Sequence, residues 1–265
     1  MPEKRRIKEH EIVKPALKII KDNPGIDTSR LIVELEKVIQ LYPGDKEITT
    51  NRNDTRFSQT VRNLVSHRNI NKFGKCIKER PPEKNAGFYI NELGEKEIQG
   101  YRNKEIRDEI EDNKLQTKIR ECKAYSNKDI EAADSRAPKK VNRSSNSKYS
   151  VDPRISKTVL KQNNYICEIE KLTGKRHETF YTDQKVQYME GHHLIPMKAQ
   201  KNFEENIDRS DNICCLCPNC HRAIHYGSSK EKKKRLELLY NEKIKKLKAN
   251  NISIDFEELM NQYYL

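Results

Sequence analysis

Apolar residues recur at three- and four-residue spacing near the start of the chain. Ile12, Val13, Ala16, Leu17 and Ile20 define one helical face before NPGIDT breaks the run. A second helix is expected to begin near Asp27 or Thr28, where a polar cap precedes Leu31, Ile32, Leu35, Val38 and Ile39, and to stop at LYPGD. The segment NRNDTRFSQTVRNLVSHRN predicts a third helix capped near Asp54, with Phe57, Val61, Leu64 and Val65 on one face. Its other face is polar and basic: Arg52, Arg56, Gln59, Thr60, Arg62, Asn63, His67 and Arg68 suit phosphates and base edges. Two β-prone stretches follow, around residues 73–77 and 87–90, joined by a polar Pro-containing loop. Three helices and a hairpin are the plan of a winged helix, expected over residues 1–95. The competing reading is a small helical domain whose third helix merely has a solvated face.

Residues 95–134 alternate in charge, with Ile106, Ile110, Leu115 and Ile119 as sparse apolar positions, which predicts an exposed helix or pair of helices. Residues 135–150, SRAPKKVNRSSNSKYS, carry Arg136, Lys139, Lys140, Arg143 and Lys148 and no acidic residue. They read as a flexible basic linker and as the domain boundary.

Composition sharpens this picture. At 265 residues the chain has room for one or two domains. Lys plus Arg number 53 against 40 Asp plus Glu, a formal net charge of +13 that points to a polyanionic partner. No run approaches the roughly 18 apolar residues of a spanning helix, so a membrane partner is not expected. The first twenty residues are basic but lack the apolar core of a secretory signal, which places the chain in the cytosol. Seven Cys, five of them between Cys167 and Cys220, are better explained there by metal than by disulfides. With only 34% hydrophobic residues, a metal staple would also help a small core.

The chemistry is concentrated in MEGHHLIPM, residues 189–197, and RSDNICCLCPNCHRAIHYG, residues 209–227. His221 and His225 are four apart, so on a helix after Pro218 both imidazoles share one face, the spacing of a divalent-metal pair. His192 and His193 sit at the end of a β-prone stretch, where one can ligate metal while its neighbour stays free. Cys217 and Cys220 form a C-x-x-C knuckle typical of structural zinc, which needs two further ligands.

These two stretches resemble the HNH endonuclease family, whose ββα-metal motif has a His-bearing strand, an Asn on the second strand and metal-binding His residues on the helix. The resemblance covers residues 165–226. It implies His193 as general base, His192 as the ligand before it, Asn212 as the middle Asn, and His221 and His225 as the helix ligands. Glu190, two residues before His192, is an alternative or additional ligand, and Asn219 a second candidate for the Asn role. Similar sequences with a C…H-x-T-F arrangement support Cys167 and His177 as partners of Cys217 and Cys220 around zinc. Cys214 or Cys215 could instead complete that site, or be small buried residues. The His-rich site is expected to take Mg²⁺, Mn²⁺, Ni²⁺ or Zn²⁺. His supplies the proton acceptor near neutral pH that phosphodiester hydrolysis needs, and a divalent ion would stabilise developing charge.

The segment NRNDTRFSQTVRNLVSH also resembles amino-terminal domains of restriction-type nucleases. Together the resemblances imply an α+β protein: a winged-helix-like domain (1–95), a charged helical segment and basic linker (96–150), a zinc-stapled ββα-metal nuclease domain (151–227) and a helical extension (228–265). The implied activity is cleavage of double-stranded DNA by a restriction enzyme, sequence- or modification-dependent, with a homodimer needed to cut both strands. The rival readings are a mobile-element or nicking HNH nuclease of low specificity and an inactive zinc-dependent DNA-binding regulator.

Overall fold

Three amphipathic helices open the chain in a computed structural model that describes residues 6–39, 41–50, 53–79, 87–143 and 146–264. They are α1 (Glu9–Asp22), α2 (Thr28–Val38) and α3 (Arg56–Ser66). Asp27 caps α2 by accepting from the Arg30 amide at 2.8 Å, as expected. Thr55, not Asp54, caps α3, accepting from the Ser58 amide at 3.1 Å. The Asp54 carboxylate is drawn instead to the Arg62 guanidinium, 2.9 Å away.

The next stretch differs from expectation. Most of the stretch read as β-prone, residues 73–77, falls instead in the short helix α4 (Lys72–Cys76). Asn71 accepts from the Gly74 amide at 2.9 Å and donates to the Leu64 carbonyl at 2.7 Å, so side-chain capping overrides local β propensity. Gly74 lies so close to the Arg68 backbone that a Cβ would stand 1.7 Å from its carbonyl oxygen. Strands β1 (Ile77–Glu79) and β2 (Phe88–Ile90) then pair antiparallel, Ile77 opposite Ile90. Ile26, between α1 and α2, bridges Phe88 on β2. Leu17, Leu31, Phe57, Leu64, Phe73 and Phe88 lie in one buried core.

The chain divides into two units, Met1–Glu109 and Ile110–Leu265, and α5 (Glu92–Glu121) begins in the first and ends in the second. As its sparse apolar pattern implies, Ile106 and Ile110 are exposed while Ile119 is buried. α6 (Asn127–Asp134) follows, then strands β3 (Lys140–Arg143) and β4 (Asn146–Tyr149), which pair antiparallel. Residues 135–150, expected as a flexible linker at a domain boundary, thus lie inside the second unit, and the strand pairing satisfies their main-chain groups locally.

The second unit continues with α7 (Pro153–Gln162), α8 (Glu168–Thr173), β5 (Glu190–His193), β6 (Ile213–Leu216) and α9 (Pro218–Tyr226). β5 and β6 pair antiparallel with His192 opposite Cys214 and His193 opposite Ile213. α7 packs closely on this pair: a Cβ on Gly191 would lie 2.8 Å from that of Ser156, so glycine is required there. Gln116 of α5 both donates to and accepts from the Gly191 main chain, at 3.0 and 3.1 Å, closing the outer edge of β5.

The expected helical extension forms α10 (Ser229–Ala249) and α11 (Phe256–Tyr264), and both pack into the core of the second unit. Leu236, Leu239, Leu259 and Met260 share a buried cluster with Cys214, Leu216 and Ile224. Lys243 on α10 also reaches the Glu168 carboxylate at 3.2 Å, and Glu168 accepts from the Cys215 amide at 2.9 Å. Among the described residues no helix is long and apolar enough to cross a membrane.

Candidate active site

Strand alternation sends the two adjacent imidazoles of β5 to opposite faces. His192 meets α9: its ring centroid is 4.9 Å from that of His221 and 5.1 Å from that of His225. Candidate ligand atoms of these three residues all lie within 4.8 Å of one another. The Nε2 atoms of His221 and His225 are 3.1 Å apart. Two nitrogens each about 2.0–2.1 Å from a common ion would be separated by about 2.9–3.4 Å in octahedral or tetrahedral geometry, so the spacing fits a shared divalent cation.

The surrounding groups prepare these rings as ligands. Glu190 Oε2 is 2.6 Å from His221 Nδ1, which assigns the proton to Nδ1 and leaves Nε2 bare toward His225. Glu190, flagged from sequence as an alternative ligand, therefore holds a ligand in this arrangement. Burial alone would raise its pKa, but the hydrogen bond with His221 keeps it below the usual carboxylate range. Tyr263, on the last helix, has its hydroxyl 2.7 Å from the Leu194 carbonyl and 3.0 Å from that of His193, and 2.9 Å from His192 Nε2. With its proton committed to the carbonyls, the tyrosine accepts from His192 Nε2–H, leaving Nδ1 as the bare nitrogen. Burial, then the charges of His221 and His225, lower the His192 pKa well below that of a free imidazole. His225 lies at the exposed rim of the cluster, and partial desolvation, then His221, lower its pKa as well. Neutral imidazoles are the ligating form.

His193, 8% exposed, faces away from this cluster, and its Nε2 lies 2.9 Å from Asp208 Oδ1. Asn212 does not touch that imidazole. It accepts from the Ile195 amide at 2.8 Å and donates to the carbonyls of Ile195 and Ile207 at 2.9 and 2.8 Å. It therefore clamps the turn after His193 to the segment that carries Asp208. Asn219, the second candidate for this role, lies on α9.

The four residues expected around zinc also converge. His177 Nδ1 is 3.4, 3.7 and 3.4 Å from the sulfurs of Cys167, Cys217 and Cys220. A tetrahedral ion with bonds of about 2.3 Å to sulfur and 2.0 Å to nitrogen would set these separations at about 3.5 Å, so the set fits zinc. Hydrogen bonds from Cys217 and Cys220 hold Cys167 toward the thiolate, while sharing that charge raises Cys217 and Cys220. Cys214 and Cys215, the alternative ligands, are buried on β6 and pushed up by that burial. They stand outside the cluster.

On α3 the expected DNA-facing residues are partly engaged within the protein. Arg56 donates to Glu47 at 3.2 Å and Arg62 to Asp54 at 2.9 Å. Thr60 and Arg68 donate to the carbonyls of Arg56 and Val65. Gln59 is exposed and Asn63 half-buried, and Arg52 lies outside the described residues.

Sequence reasoning missed Asp208 and Tyr263. Neither falls within the motif spacing.

Residues 176–227 match the family model described as HNH endonuclease. The chain carries an HNH endonuclease domain. A curated relative, the Type IV methyl-directed restriction enzyme EcoKMcrA of Escherichia coli (strain K12), is 39% identical over 92 residues. That match takes in 35% of this chain and 29% of the relative, so the chain spans under a third of that protein's length. A solved structure, the Type IV phosphorothioation-dependent restriction endonuclease ScoMcrA, aligns at 26% identity over 40% of this chain and 18% of that one, with a TM-score of 0.29.

Proposed function

We propose that the chain is a metal-dependent restriction endonuclease that hydrolyses double-stranded DNA. The observation that carries the reading is the convergence of His192, His221 and His225 on one point beside an unligated His193, within the HNH domain. A divalent ion held by those three side chains would neutralise charge on the scissile phosphate and on the leaving 3′ oxygen. His193 would take a proton from water as the water oxygen attacks phosphorus and the P–O3′ bond breaks. Cys167, His177, Cys217 and Cys220 would hold structural zinc and fix the start of the helix that carries His221 and His225.

The test is digestion of plasmid, methylated at cytosine or unmodified, with Mg²⁺, Mn²⁺, Ni²⁺ or Zn²⁺ added after chelation. A restriction-type activity gives discrete fragments from one of the two substrates. Absence of cleavage of both, with every ion, would reject the reading. Because one chain contributes one such site, a double-strand break calls for two copies. Sedimentation of the protein on its DNA substrate would show two chains per cleaved duplex.

The first unit is proposed as a winged-helix module that binds the duplex through α3. Three helices, an antiparallel β1–β2 pair and the Ile26–Phe88 bridge support that plan. Arg62–Asp54 is a half-buried ion pair open to solvent at the guanidinium, and surface pairs are worth only about 0–1 kcal/mol, so Arg62 can be drawn to a phosphate at modest cost. Arg62→Ala is expected to weaken DNA binding about equally across sequences and to reduce the slope of log affinity against log salt by about 1. Fluorescence anisotropy between low and moderate salt measures both, and an unchanged slope would take Arg62 off the DNA.

A further inference from the structure

We infer that Asp208 is the positioning residue for His193, holding its imidazole by Nε2–H so that Nδ1 is the nitrogen presented to water. This deepens, and rests on, the reading of His193 as proton acceptor. Asn212 does not orient that ring, because it spends its side chain on the Ile195 and Ile207 main chain. The ring's contact is with a carboxylate fifteen residues further along, itself 3% exposed.

Both oxygens of that carboxylate are committed. Oδ1 meets His193 Nε2 at 2.9 Å, and Oδ2 accepts from the Asp152 amide at 2.6 Å, at the N-cap of α7. The Asp208 amide in turn donates to Asn206 Oδ1 at 3.0 Å. A group that must accept on both sides is a carboxylate and cannot be an amide. In this setting the ring has one tautomer: a neutral imidazole facing Oδ1 carries its proton on Nε2, and its lone pair is on Nδ1. Asn212 binds the carbonyls of Ile195 and Ile207, so it sets the distance between the two segments while Asp208 sets the ring.

Asp208→Asn is nearly isosteric but offers one acceptor and one donor. If its oxygen serves the Asp152 amide, its NH₂ faces His193 Nε2 and forces the proton onto Nδ1, the nitrogen that should be bare. If its oxygen serves His193, the Asp152 amide loses its partner. The turnover rate at saturating DNA is therefore expected to fall by on the order of 10²–10⁴-fold, as wrong-tautomer variants of His–Asp pairs do. KM for DNA should stay within about twofold, because neither group is asked to bind substrate.

Three measurements decide it, all on the full chain. Nitrogen-15 spectra of imidazole-labelled wild-type protein, with His193 assigned by the loss of its signals in His193→Ala, should show Nε2 protonated and Nδ1 bare. The opposite tautomer in the wild type would overturn the proposal, and this reading needs neither cleavage nor a folded Asp208 variant. In Asp208→Asn the Nδ1 signal should move toward the protonated position. In a His193→Ala background, Asp208→Asn should leave the residual cleavage rate unchanged, whereas a merely structural Asp208 would cost as much there as in the wild type. Should His193→Ala cleave like the wild type, the base assignment falls, and the spectra still report whether Asp208 sets the ring.

Discussion

Cys217→Ser is expected to abolish the cooperative thermal transition of residues 110–265 and to remove the tightly held zinc. Structural zinc in small sites contributes about 10–16 kcal/mol near neutral pH, against a typical net domain stability of about 5–15 kcal/mol. Serine contributes no thiolate, and the remaining Cys167, Cys220 and His177 would have to hold the ion alone. The consequence reaches beyond the site itself. Cys217 caps α9 and Cys220 stands in its first turn, so zinc held by this set would fix the end of the helix from which His221 and His225 project. Cys167 is likewise the N-cap of α8, whose Glu168 links β6 to Lys243 of α10. Removing one sulfur should therefore loosen α8, β6, α9 and α10 together and eliminate cleavage as well. Calorimetry and zinc release monitored by a chromogenic chelator give the two readouts. A variant that keeps both its zinc and its melting temperature to within a few degrees would show that these four side chains are not a folding site.

The pieces of this architecture that could be read along the chain are those with a local cause. The α9 histidine pair follows from a four-residue interval, and the first helices follow from apolar periodicity and from Asp27 as a cap. Local signals failed where a side chain chose a different partner from the one its position suggests. Asp54 looks like a helix cap but is drawn to Arg62, and residues 72–76 turn helical because Asn71 spans Leu64 and Gly74. The charged stretch at residues 135–150 offers no apolar pattern to announce its strand pairing. The candidate site shows the same division. Glu190 was visible because it shares a strand face with His192. Asp208 and Tyr263 reach the site from separations of 15 and about 70 residues, with no interval to betray them. The chemical contribution of the tail, a hydroxyl on His192 and the two following carbonyls, is set wholly by tertiary packing.

His193→Ala and His221→Ala are expected to fail in different ways, although both remove a buried imidazole from the same ββα unit. His193 lies outside the three-histidine cluster and faces Asp208, so its loss should leave ion affinity and KM for DNA unchanged. The turnover rate should fall by about 10²–10⁴-fold, the usual contribution of a positioned base. His221 is 1% exposed, bonded to Glu190 through Nδ1 and directed at His225 through Nε2. Without it two imidazoles remain for the ion, and the buried Glu190 keeps only the Tyr188 hydroxyl, 3.2 Å away, so ion affinity should drop by at least tenfold and stability by about 1–3 kcal/mol. Raising Mn²⁺ should then restore part of the His221→Ala activity and none of the His193→Ala activity. Titrating Mn²⁺ against cleavage rate in both variants, with melting curves as the folding control, separates the roles. Recovery of His193→Ala by added ion would place His193 among the ligands and leave the site without its proton acceptor.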